Sequence, residues 1–382
     1  MNTPAKVAAA DYSNFIMPGK VKTITLILTQ SCNLSCTYCY EGNKDGKGMV
    51  FSLAKEILDK ELDDDRFEDF LVDFFGGEPL LKFPLIKECV QYVLDNYPNQ
   101  KICFTMTTNG VLARGEIKDW LYEHRDIFKI SLSLDGTPEM HNKNRCNSFS
   151  LIDVEFFHNA WPDQPMKMTI SPGTLPQLAS GIIYMHEHNY SFSCNLAYDI
   201  DWSNPENESI LERELKKIID FYLENPEIIP CQLFQYNFDR VPVKITKDTQ
   251  IRACGAGVEM VTYSSDGKAY PCQFFTPLSL GEEASKKAES IIFKDKVTID
   301  DFPEPCHSCP VISICHNCYG ANYSQSGNIY QKDMNLCILN KILFKAAAYL
   351  WLERYKRGDI KCDKKIIPQV MKGVEIILEE LK

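Results

Sequence analysis

The N-terminal half of the chain alternates between strand-like and helix-like segments, and this alternation constrains the fold more than any other feature. Six segments rich in β-branched and aromatic residues recur, at 21–29, 70–75, 102–108, 128–134, 166–171 and 191–197. Amphipathic segments lie between them, at 53–62, 85–96, 116–124, 175–188 and 208–224. Strands that alternate with helices of this length form βαβ units around a parallel sheet. Because a closed barrel of this kind needs eight units, six predict an α/β fold with a partial, TIM-like (β/α)6 barrel.

The second half of the chain has a different sequence pattern. After about residue 234 the periodicity fades, and turn-rich stretches such as 264–267 and 302–305 surround a group of cysteines. A small irregular domain held together by metal rather than by a large core is the natural interpretation. We therefore predict a barrel domain at 1–235, a metal-stabilised domain at 236–338 and a helical tail at 339–382, with helices near 339–355 and 370–381.

Charge and hydropathy exclude several classes of function. The 382 residues carry 41 basic and 52 acidic side chains, a net charge of −11, which argues against the broad basic surface of a nucleic-acid-binding protein. The most apolar stretch, 342–352, is eleven residues long and contains Lys345, whereas a membrane span needs about 20 residues. The N-terminus has no continuous apolar segment of a secretory signal, so we expect a cytoplasmic protein without a membrane partner.

The sixteen cysteines are the one feature that is not expected of an ordinary globular protein. Three lie between Cys32 and Cys39, and seven lie between Cys254 and Cys337. In a long chain without a secretion signal, metal binding or catalysis is a more common use of cysteine than disulfide formation. The other six are scattered singly, and we expect them to be small buried apolar residues that cluster binding does not need: Cys89, Cys103, Cys146, Cys194, Cys231 and Cys362.

The first cysteine group follows the first predicted strand with the spacing C-x3-C-x2-C, at Cys32, Cys36 and Cys39. Three thiolates on one short loop can bind three irons of a 4Fe–4S cluster, whose full set is four ligands. The fourth iron then stays open to a small chelating molecule, as catalytic metal sites keep an open position. A zinc site is the alternative.

This loop is identified as that of the radical S-adenosylmethionine (SAM) superfamily, which the whole first half of the chain resembles. In that family the open iron binds SAM, and one electron cleaves SAM to methionine and a 5′-deoxyadenosyl radical that abstracts hydrogen from the substrate. The resemblance implies that Cys32, Cys36 and Cys39 hold the cluster. It assigns the SAM contacts as follows: Tyr38 beside the adenine, Gly76, Gly77 and Glu78 at the methionine amino group, Ser133 of the S-x-D-G segment 133–136 at the ribose, and Arg145 at the methionine carboxylate. The segment 107–110 (TTNG) matches a further family motif.

The second cysteine group resembles the SPASM extension of radical SAM enzymes, which holds two auxiliary 4Fe–4S clusters. The resemblance assigns one cluster to four cysteines and the other to three, with two structural zinc ions as the alternative: Cys306, Cys309, Cys315 and Cys337 for the first set, and Cys254, Cys272 and Cys318 for the second. The second set is one ligand short. We hypothesise an open position that takes a substrate cysteine thiolate, and a non-cysteine protein ligand is the competing explanation.

Two groups of SPASM enzymes are candidates for the activity, namely peptide maturases and anaerobic sulfatase maturases. Sulfatase maturases have an aspartate after the second SPASM cysteine and a tyrosine two residues beyond the radical SAM loop, where this chain has Gln273 and Glu41. Glutamine cannot take a proton, which counts against formylglycine formation, whereas the open position of the auxiliary cluster favours a peptide maturase that forms a cysteine thioether. Carbon–carbon or carbon–oxygen cross-linking of a peptide, formylglycine formation in a sulfatase and a non-catalytic iron–sulfur electron carrier remain the alternatives.

The predicted cofactors and partners follow from this assignment. They are three 4Fe–4S clusters, SAM, a cysteine-containing peptide or protein substrate, and an electron donor such as flavodoxin or ferredoxin.

Overall fold

A computed structural model describes residues 21–360 and 365–381. Six parallel strands form the predicted partial barrel, in the order of the chain: β1 (Val21–Thr29), β2 (Asp69–Gly76), β3 (Lys101–Thr108), β4 (Phe128–Leu132), β5 (Met166–Ile170) and β6 (Phe192–Leu196). Strands β1 to β4 pair in sequence, and β5 pairs with β6. A parallel bridge between Ser133 and Lys167 connects the two sets. The α/β fold with a parallel sheet is therefore confirmed.

Helices follow the strands as the periodicity predicts, and two more appear between β4 and β5. The barrel helices are α1 (Phe51–Leu62), α2 (Phe83–Asn96), α3 (Glu116–Glu123), α4 (Pro138–Asn144), α5 (Val154–Ala160), α6 (Leu178–Glu187) and α7 (Glu206–Glu224). Helices α4 and α5 are only seven residues long, so a helical periodicity has too few turns to show. Their N-termini are capped by the side chains of Thr137 and Asp153.

The sheet separates an apolar layer from a polar interior. On β2, Phe70, Val72 and Phe74 are buried in the main hydrophobic core, and Phe74 stacks at 5.9 Å between ring centroids on Phe104 of β3. The alternate residues face the other way, because successive side chains of a strand point to opposite faces. Asp73 is one of them, and it accepts a hydrogen bond of 2.8 Å from Thr105. Asp73 therefore lies on the face of the sheet opposite the apolar core.

The second half of the chain contributes two strands to the main sheet, which the sequence analysis did not predict. β7 (Met260–Tyr263) pairs in parallel with β1, and β8 (Ala269–Tyr270) pairs antiparallel with β7. The resulting sheet has the order β4-β3-β2-β1-β7-β8. The region beyond residue 235 is therefore joined to the barrel by backbone hydrogen bonds.

Six further α-helices follow β8 in the described chain, four of them short and two long. They are α8 (Pro277–Leu280), α9 (Glu282–Ala288), α10 (Glu304–His307), α11 (Tyr319–Ser326), α12 (Met334–Arg357) and α13 (Ile367–Glu380). The two predicted tail helices correspond to α12 and α13. Leu339, Leu343 and Ala347 of α12 and Val374 of α13 are buried in the same core as the barrel strands.

Helix α12 is longer and more apolar than the sequence analysis allowed. It has 24 residues, and by length and composition alone it could cross a membrane. Length and composition do not distinguish a membrane span from a core helix, so the expectation of no membrane partner stays a prediction. The packing of α12 gives its apolar residues another role, because they contact α7 and α13 in the core of the protein. Buried core helices and membrane spans share this composition.

A buried arginine connects α12 to the end of α7. The Arg354 side chain is buried, and its Nη2 donates to the carbonyl oxygens of Tyr222 (2.8 Å), Asn225 (3.3 Å) and Ile228 (3.0 Å). The last carbonyls of a helix have no partner within the helix, and a positive charge at this end is favourable. Arg354 of α12 therefore supplies hydrogen-bond donors to carbonyl groups at the C-terminal end of α7.

Replacing Arg354 with methionine tests this contact. Arg354→Met keeps an apolar chain but leaves the buried carbonyl of Tyr222 and two partly buried carbonyls without this donor, so we expect a loss of about 2–4 kcal/mol in the free energy of unfolding. The measurement is the urea midpoint by circular dichroism. Lys356→Met, which removes a surface pair with Glu353, is the control and should move the midpoint by little. Equal midpoints for the two variants would contradict the role of Arg354.

Candidate functional site

The loop with Cys32, Cys36 and Cys39 leaves the C-terminal end of β1, where chemistry gathers in folds of this kind. The end of β2 lies directly against it. Gly77 N donates to Thr29 O at 3.0 Å, and Glu78 N donates to Ser31 O at 2.9 Å. A Cβ atom on Gly77 would lie 2.3 Å from Ser31 O, so no other residue fits without displacing the loop. The Gly-Gly segment therefore braces the cysteine loop.

The three thiols of this loop fit an iron–sulfur cluster in chemistry and in environment. All three cysteines are half-buried and free of disulfides. Burial raises the pKa of Cys36 to about 11, although the nearby Arg145 lowers it, and burial also raises the pKa of Cys32. Burial therefore disfavours free thiolates at Cys32 and Cys36, and thiolate is the natural ligand of iron in such clusters.

Glu78 is held rigidly behind the loop. Its buried side chain accepts hydrogen bonds from Leu80 N (3.1 Å), Thr108 Oγ1 (2.7 Å) and Asn109 N (2.9 Å). Burial raises the pKa of this carboxyl, while the three donors lower it. An ionised carboxylate offers about four acceptor positions, so one remains for a ligand. Asn109 of the TTNG segment also donates to Asn33 in the cysteine loop, at 2.7 Å.

Tyr38 and Arg145 meet at Asp135. The phenol of Tyr38 donates to Asp135 Oδ2 at 2.7 Å, and Arg145 Nε donates to the same oxygen at 3.0 Å. The Arg145 guanidinium lies 5.2 Å from the centroid of the Tyr38 ring and 3.9 Å from Cys36 Sγ. Burial lowers the pKa of Arg145, but Asp135, Tyr38 and Cys36 together more than offset this effect and raise the pKa overall. Ser133, on the same segment as Asp135, is buried at the end of β4.

Sequence reasoning gave Asp135 no role. Asp135 is the aspartate of the S-x-D-G segment, so a sequence motif did include it. Its hydrogen-bond partners lie in other parts of the chain, and the motif does not predict them.

Cys146 is another residue whose place was not predicted. It was expected to be a buried apolar residue, but it is exposed and lies against the cysteine loop, where its Sγ contacts Ser35 N at 3.2 Å and Ser35 O at 3.1 Å. That expectation was wrong for Cys146. It holds for Cys89, Cys194 and Cys231, which are buried, whereas Cys103 is half-buried. Cys362 lies outside the described residues.

The cysteines of the second half fall into two groups in space. Burial raises the pKa of Cys306 to about 11, and the thiols of Cys315, Cys309 and Cys337 raise it further because they are close by. Lys332 Nζ lies 3.4 Å from Cys315 Sγ. These four cysteines are those that the resemblance assigns to one auxiliary cluster. That they bind iron stays a prediction.

The other group contains three cysteines. Burial raises the pKa of Cys272, and the neighbouring thiols of Cys318 and Cys254 raise it further. Soft ligands grouped in threes and fours suit iron–sulfur clusters, which bind each cysteine at a separate iron. Within residues 21–360 and 365–381, no three His, Cys, Asp or Glu side chains converge as they would on a single metal ion.

An aromatic contact joins the first cysteine loop to the second half of the chain. Tyr40, the residue after Cys39, stacks on Phe274 with ring centroids 4.1 Å apart. A Cβ atom on Gly320 would lie 2.1 Å from the Cβ of Phe274, so α11 packs tightly on the other side of this residue. Phe274 therefore connects loops that carry cysteines from both halves. No sequence pattern pointed to this contact.

Glu41 follows Tyr40 and is a buried carboxyl group. Its side-chain Oε1 has no hydrogen bond within the described part of the chain. Burial raises its pKa to about 8, an effect that Lys44 opposes and Glu78 increases. Glu41 therefore places a buried carboxyl group beside the first cysteine loop.

Three kinds of comparison place this site among known proteins. A sequence model described as the Radical SAM superfamily matches residues 26–151. An uncharacterised protein of Methanocaldococcus jannaschii is 41% identical over 116 residues, which are 30% of this chain and 39% of that protein. The chain therefore spans well under half of that relative.

Longer matches are more distant. The radical SAM cyclopropyl synthase TigE of Paramaledivibacter caminithermalis is 22% identical over 85% of this chain and 74% of its own. A cysteine-type anaerobic sulfatase-maturating enzyme of Clostridium perfringens is 24% identical over 75% of this chain and 85% of its own.

Solved structures share the fold. The structure of native anSMEcpe with bound AdoMet and the Cp18Cys peptide matches with a TM-score of 0.65 and 21% identity, covering 88% of this chain and 99% of that one. Streptococcus suis SuiB bound to the precursor peptide SuiA matches with a TM-score of 0.53 and 16% identity, covering 85% and 78%. Residues 26–151 thus match the Radical SAM superfamily, and most of the chain shares the fold of anSMEcpe and SuiB.

Proposed function

We propose that the protein is a peptide or protein maturase that uses SAM to form a cysteine thioether on its substrate. The observation that carries the proposal is the group of three cysteines, Cys254, Cys272 and Cys318, beside a group of four. A cluster with three protein ligands keeps one position for a substrate thiolate, which would be deprotonated and oriented there. Structural relatives with bound peptides, anSMEcpe and SuiB, support a peptide as the substrate class.

The residues of the first site would divide the work as follows. Cys32, Cys36 and Cys39 would hold a 4Fe–4S cluster, which when bound supplies the electron for reductive cleavage of SAM. Glu78 has one acceptor position left for the methionine ammonium group, and Arg145 offers its guanidinium to the methionine carboxylate. Both are buried, so these ion pairs are shielded from water and strong. Tyr38 would pack beside the adenine and Ser133 would reach the ribose.

The overall reaction balances without an external oxidant. The substrate loses one hydrogen from carbon and one from the cysteine thiol, and a carbon–sulfur bond forms between the two atoms. SAM is cleaved to methionine and 5′-deoxyadenosine, which takes the hydrogen from carbon, and the thiol hydrogen leaves as a proton. One electron enters from the donor, for which we propose flavodoxin or ferredoxin, and one is returned after the bond forms.

Other features of the proposal follow the sequence analysis. We propose three 4Fe–4S clusters, with the second auxiliary cluster on Cys306, Cys309, Cys315 and Cys337. The proposed organisation is a barrel to residue 235, an auxiliary-cluster domain at 236–338 and a C-terminal helical part at 339–382. We propose a cytoplasmic location, where thiols stay reduced.

Formylglycine formation is the second candidate. It is favoured by the likeness to anSMEcpe and by Glu41, whose buried carboxyl lies beside the radical loop and could exchange a proton. Gln273 argues against it. Carbon–carbon bond formation is a third candidate, since TigE is named a cyclopropyl synthase.

The test is a reaction of the reconstituted, reduced protein with SAM and a set of cysteine-containing peptides, with matched serine peptides as the control. We expect 5′-deoxyadenosine together with a cysteine peptide that has lost two hydrogens and resists thiol alkylation. An aldehyde that reacts with hydrazide would instead identify formylglycine formation. A loss of two hydrogens with the thiol still free would identify cross-linking through carbon or oxygen. Absence of 5′-deoxyadenosine with the clusters intact would overturn the proposed function.

A further inference from the structure

Asp135 is a highly connected buried side chain near the proposed SAM site. It is fully buried just after β4, and its carboxylate accepts four hydrogen bonds. The donors come from separate parts of the fold: Tyr38 Oη at 2.7 Å, Arg145 Nε at 3.0 Å, Asn144 Nδ2 at 3.1 Å and Thr169 N at 2.9 Å. One side chain thus joins the cysteine loop, the end of α4 and strand β5.

The distribution of these bonds matters for Arg145. Oδ1 of Asp135 accepts from the backbone of β5, which fixes the carboxylate to the sheet. Oδ2 accepts from Arg145 Nε, so the arginine is bound through the inner nitrogen of its guanidinium group. A buried ion pair of this kind is stable only when its hydrogen bonds are complete, and here the carboxylate is saturated.

Binding through Nε leaves the outer end of Arg145 for a ligand. Nη1 lies 3.9 Å from Cys36 Sγ, and among the described residues Nη2 has no hydrogen-bond partner. The guanidinium stands over the Tyr38 ring at 5.2 Å, so it cannot turn freely. A planar guanidinium held at one nitrogen presents the others as a fork, which is the geometry that binds a carboxylate with two hydrogen bonds.

We propose that Asp135 is a positioning residue for SAM: it holds Arg145 by Nε so that the Nη atoms face the methionine carboxylate. This inference rests on the proposed function, in which Arg145 binds that carboxylate. Asparagine at position 135 has nearly the same shape, but its amide nitrogen is a donor and would face other donors. The amide nitrogen can turn toward Thr169 N or toward the donors at Oδ2; in both orientations Arg145 loses its buried counter-charge, and in the second it also loses its anchor.

Binding of two ligands to the holoenzyme tests the proposal. SAM and decarboxylated SAM, which lacks only the carboxylate, are titrated anaerobically into wild type and Asp135→Asn. We expect Asp135→Asn to bind SAM about tenfold more weakly, a loss of about 1.4 kcal/mol, with less than about a twofold change for decarboxylated SAM. Equal weakening of both ligands would show a general structural role and overturn the proposal, as would unchanged SAM binding.

Two further variants keep the test decisive. Tyr38→Phe removes one hydrogen bond from the same carboxylate oxygen but leaves the Arg145 pair, so it should weaken both ligands alike. Should Asp135→Asn fail to fold or to hold iron, Arg145→Lys takes its place, because lysine keeps the charge but cannot bind Asp135 and present a fork at once. Selective loss of SAM affinity in Arg145→Lys supports the proposal, and unchanged affinity overturns it.

Failure of the proposed function looks different in the same experiment. Wild-type protein that binds neither ligand would overturn the SAM site itself. A wild type that prefers SAM, together with an Asp135→Asn variant that keeps the whole preference, would overturn only the role of Asp135. If the wild-type protein bound both ligands equally, Arg145 would not bind the methionine carboxylate. That result would overturn the inference as well.

Discussion

Simultaneous replacement of Cys32, Cys36 and Cys39 by alanine is expected to lower the iron content from about twelve to about eight atoms per chain. The three thiols lie on one loop at the end of β1 and are the proposed ligands of one cluster. The two cysteine groups of the second half contain none of these three residues, so their clusters should survive. The variant should also produce no 5′-deoxyadenosine from SAM. Iron and sulfide are measured anaerobically, with SAM cleavage measured in parallel.

Cys194→Ala is the control for this experiment, since Cys194 is buried next to Cys231 and belongs to none of the three groups. It should keep the wild-type iron content. If it lost as much iron as the triple variant, the ligand assignment would be wrong. Zinc in place of iron in the second half, with only about four irons in all, would leave the radical SAM site but remove the basis for thioether formation.

Gly77→Ala is expected to lower the rate of SAM cleavage by about a hundredfold or more. The added methyl group would lie 2.3 Å from Ser31 O and 2.6 Å from Ser31 C, which are backbone atoms of the cysteine loop. The loop must therefore move relative to Glu78, and a displacement of about 1 Å in a catalytic site typically costs about two orders of magnitude in rate. The rate is measured as 5′-deoxyadenosine formation under single-turnover conditions.

Gly42→Ala provides a matched control in the same region, because a Cβ atom at Gly42 has no neighbour within 4 Å. We expect this variant to cleave SAM at close to the wild-type rate. Iron content must be measured for both variants, since a displaced loop can lose its cluster as well as its alignment. Wild-type cleavage by Gly77→Ala would show that the Gly-Gly segment does not brace the loop.

The strands of the barrel could be predicted from sequence because each is a run of apolar and β-branched residues between turn signals. Periodicity fails where elements are short. Helix α4 has only seven residues and a polar sequence, and β7 has four residues between turns, so neither rises above its surroundings. What secures them is tertiary: β7 forms because the edge of β1 is available to pair with it.

In the candidate site, too, local sequence patterns could be predicted and long-range contacts could not. The spacing of Cys32, Cys36 and Cys39 lies within eight residues and was readable directly. The hydrogen bonds of Asp135 reach from position 38 to position 169, and they exist because parallel strands end at one edge of the sheet. The stacking of Tyr40 on Phe274 spans an even longer separation. Local patterns therefore identify ligands, whereas the contacts that orient them depend on topology.

The pairing of β7 with β1 bears on how this protein can be divided in the laboratory. A fragment that stops at residue 235 would lack β7 and α12, leaving an unpaired edge on β1 and an uncovered apolar face on α7. Open edges of this kind associate with other chains. We expect such a fragment to aggregate, even though it contains every residue of the proposed radical-generating site. We expect that auxiliary-cluster domains can be exchanged between related enzymes only where β7 is transferred together with the β1 strand with which it pairs.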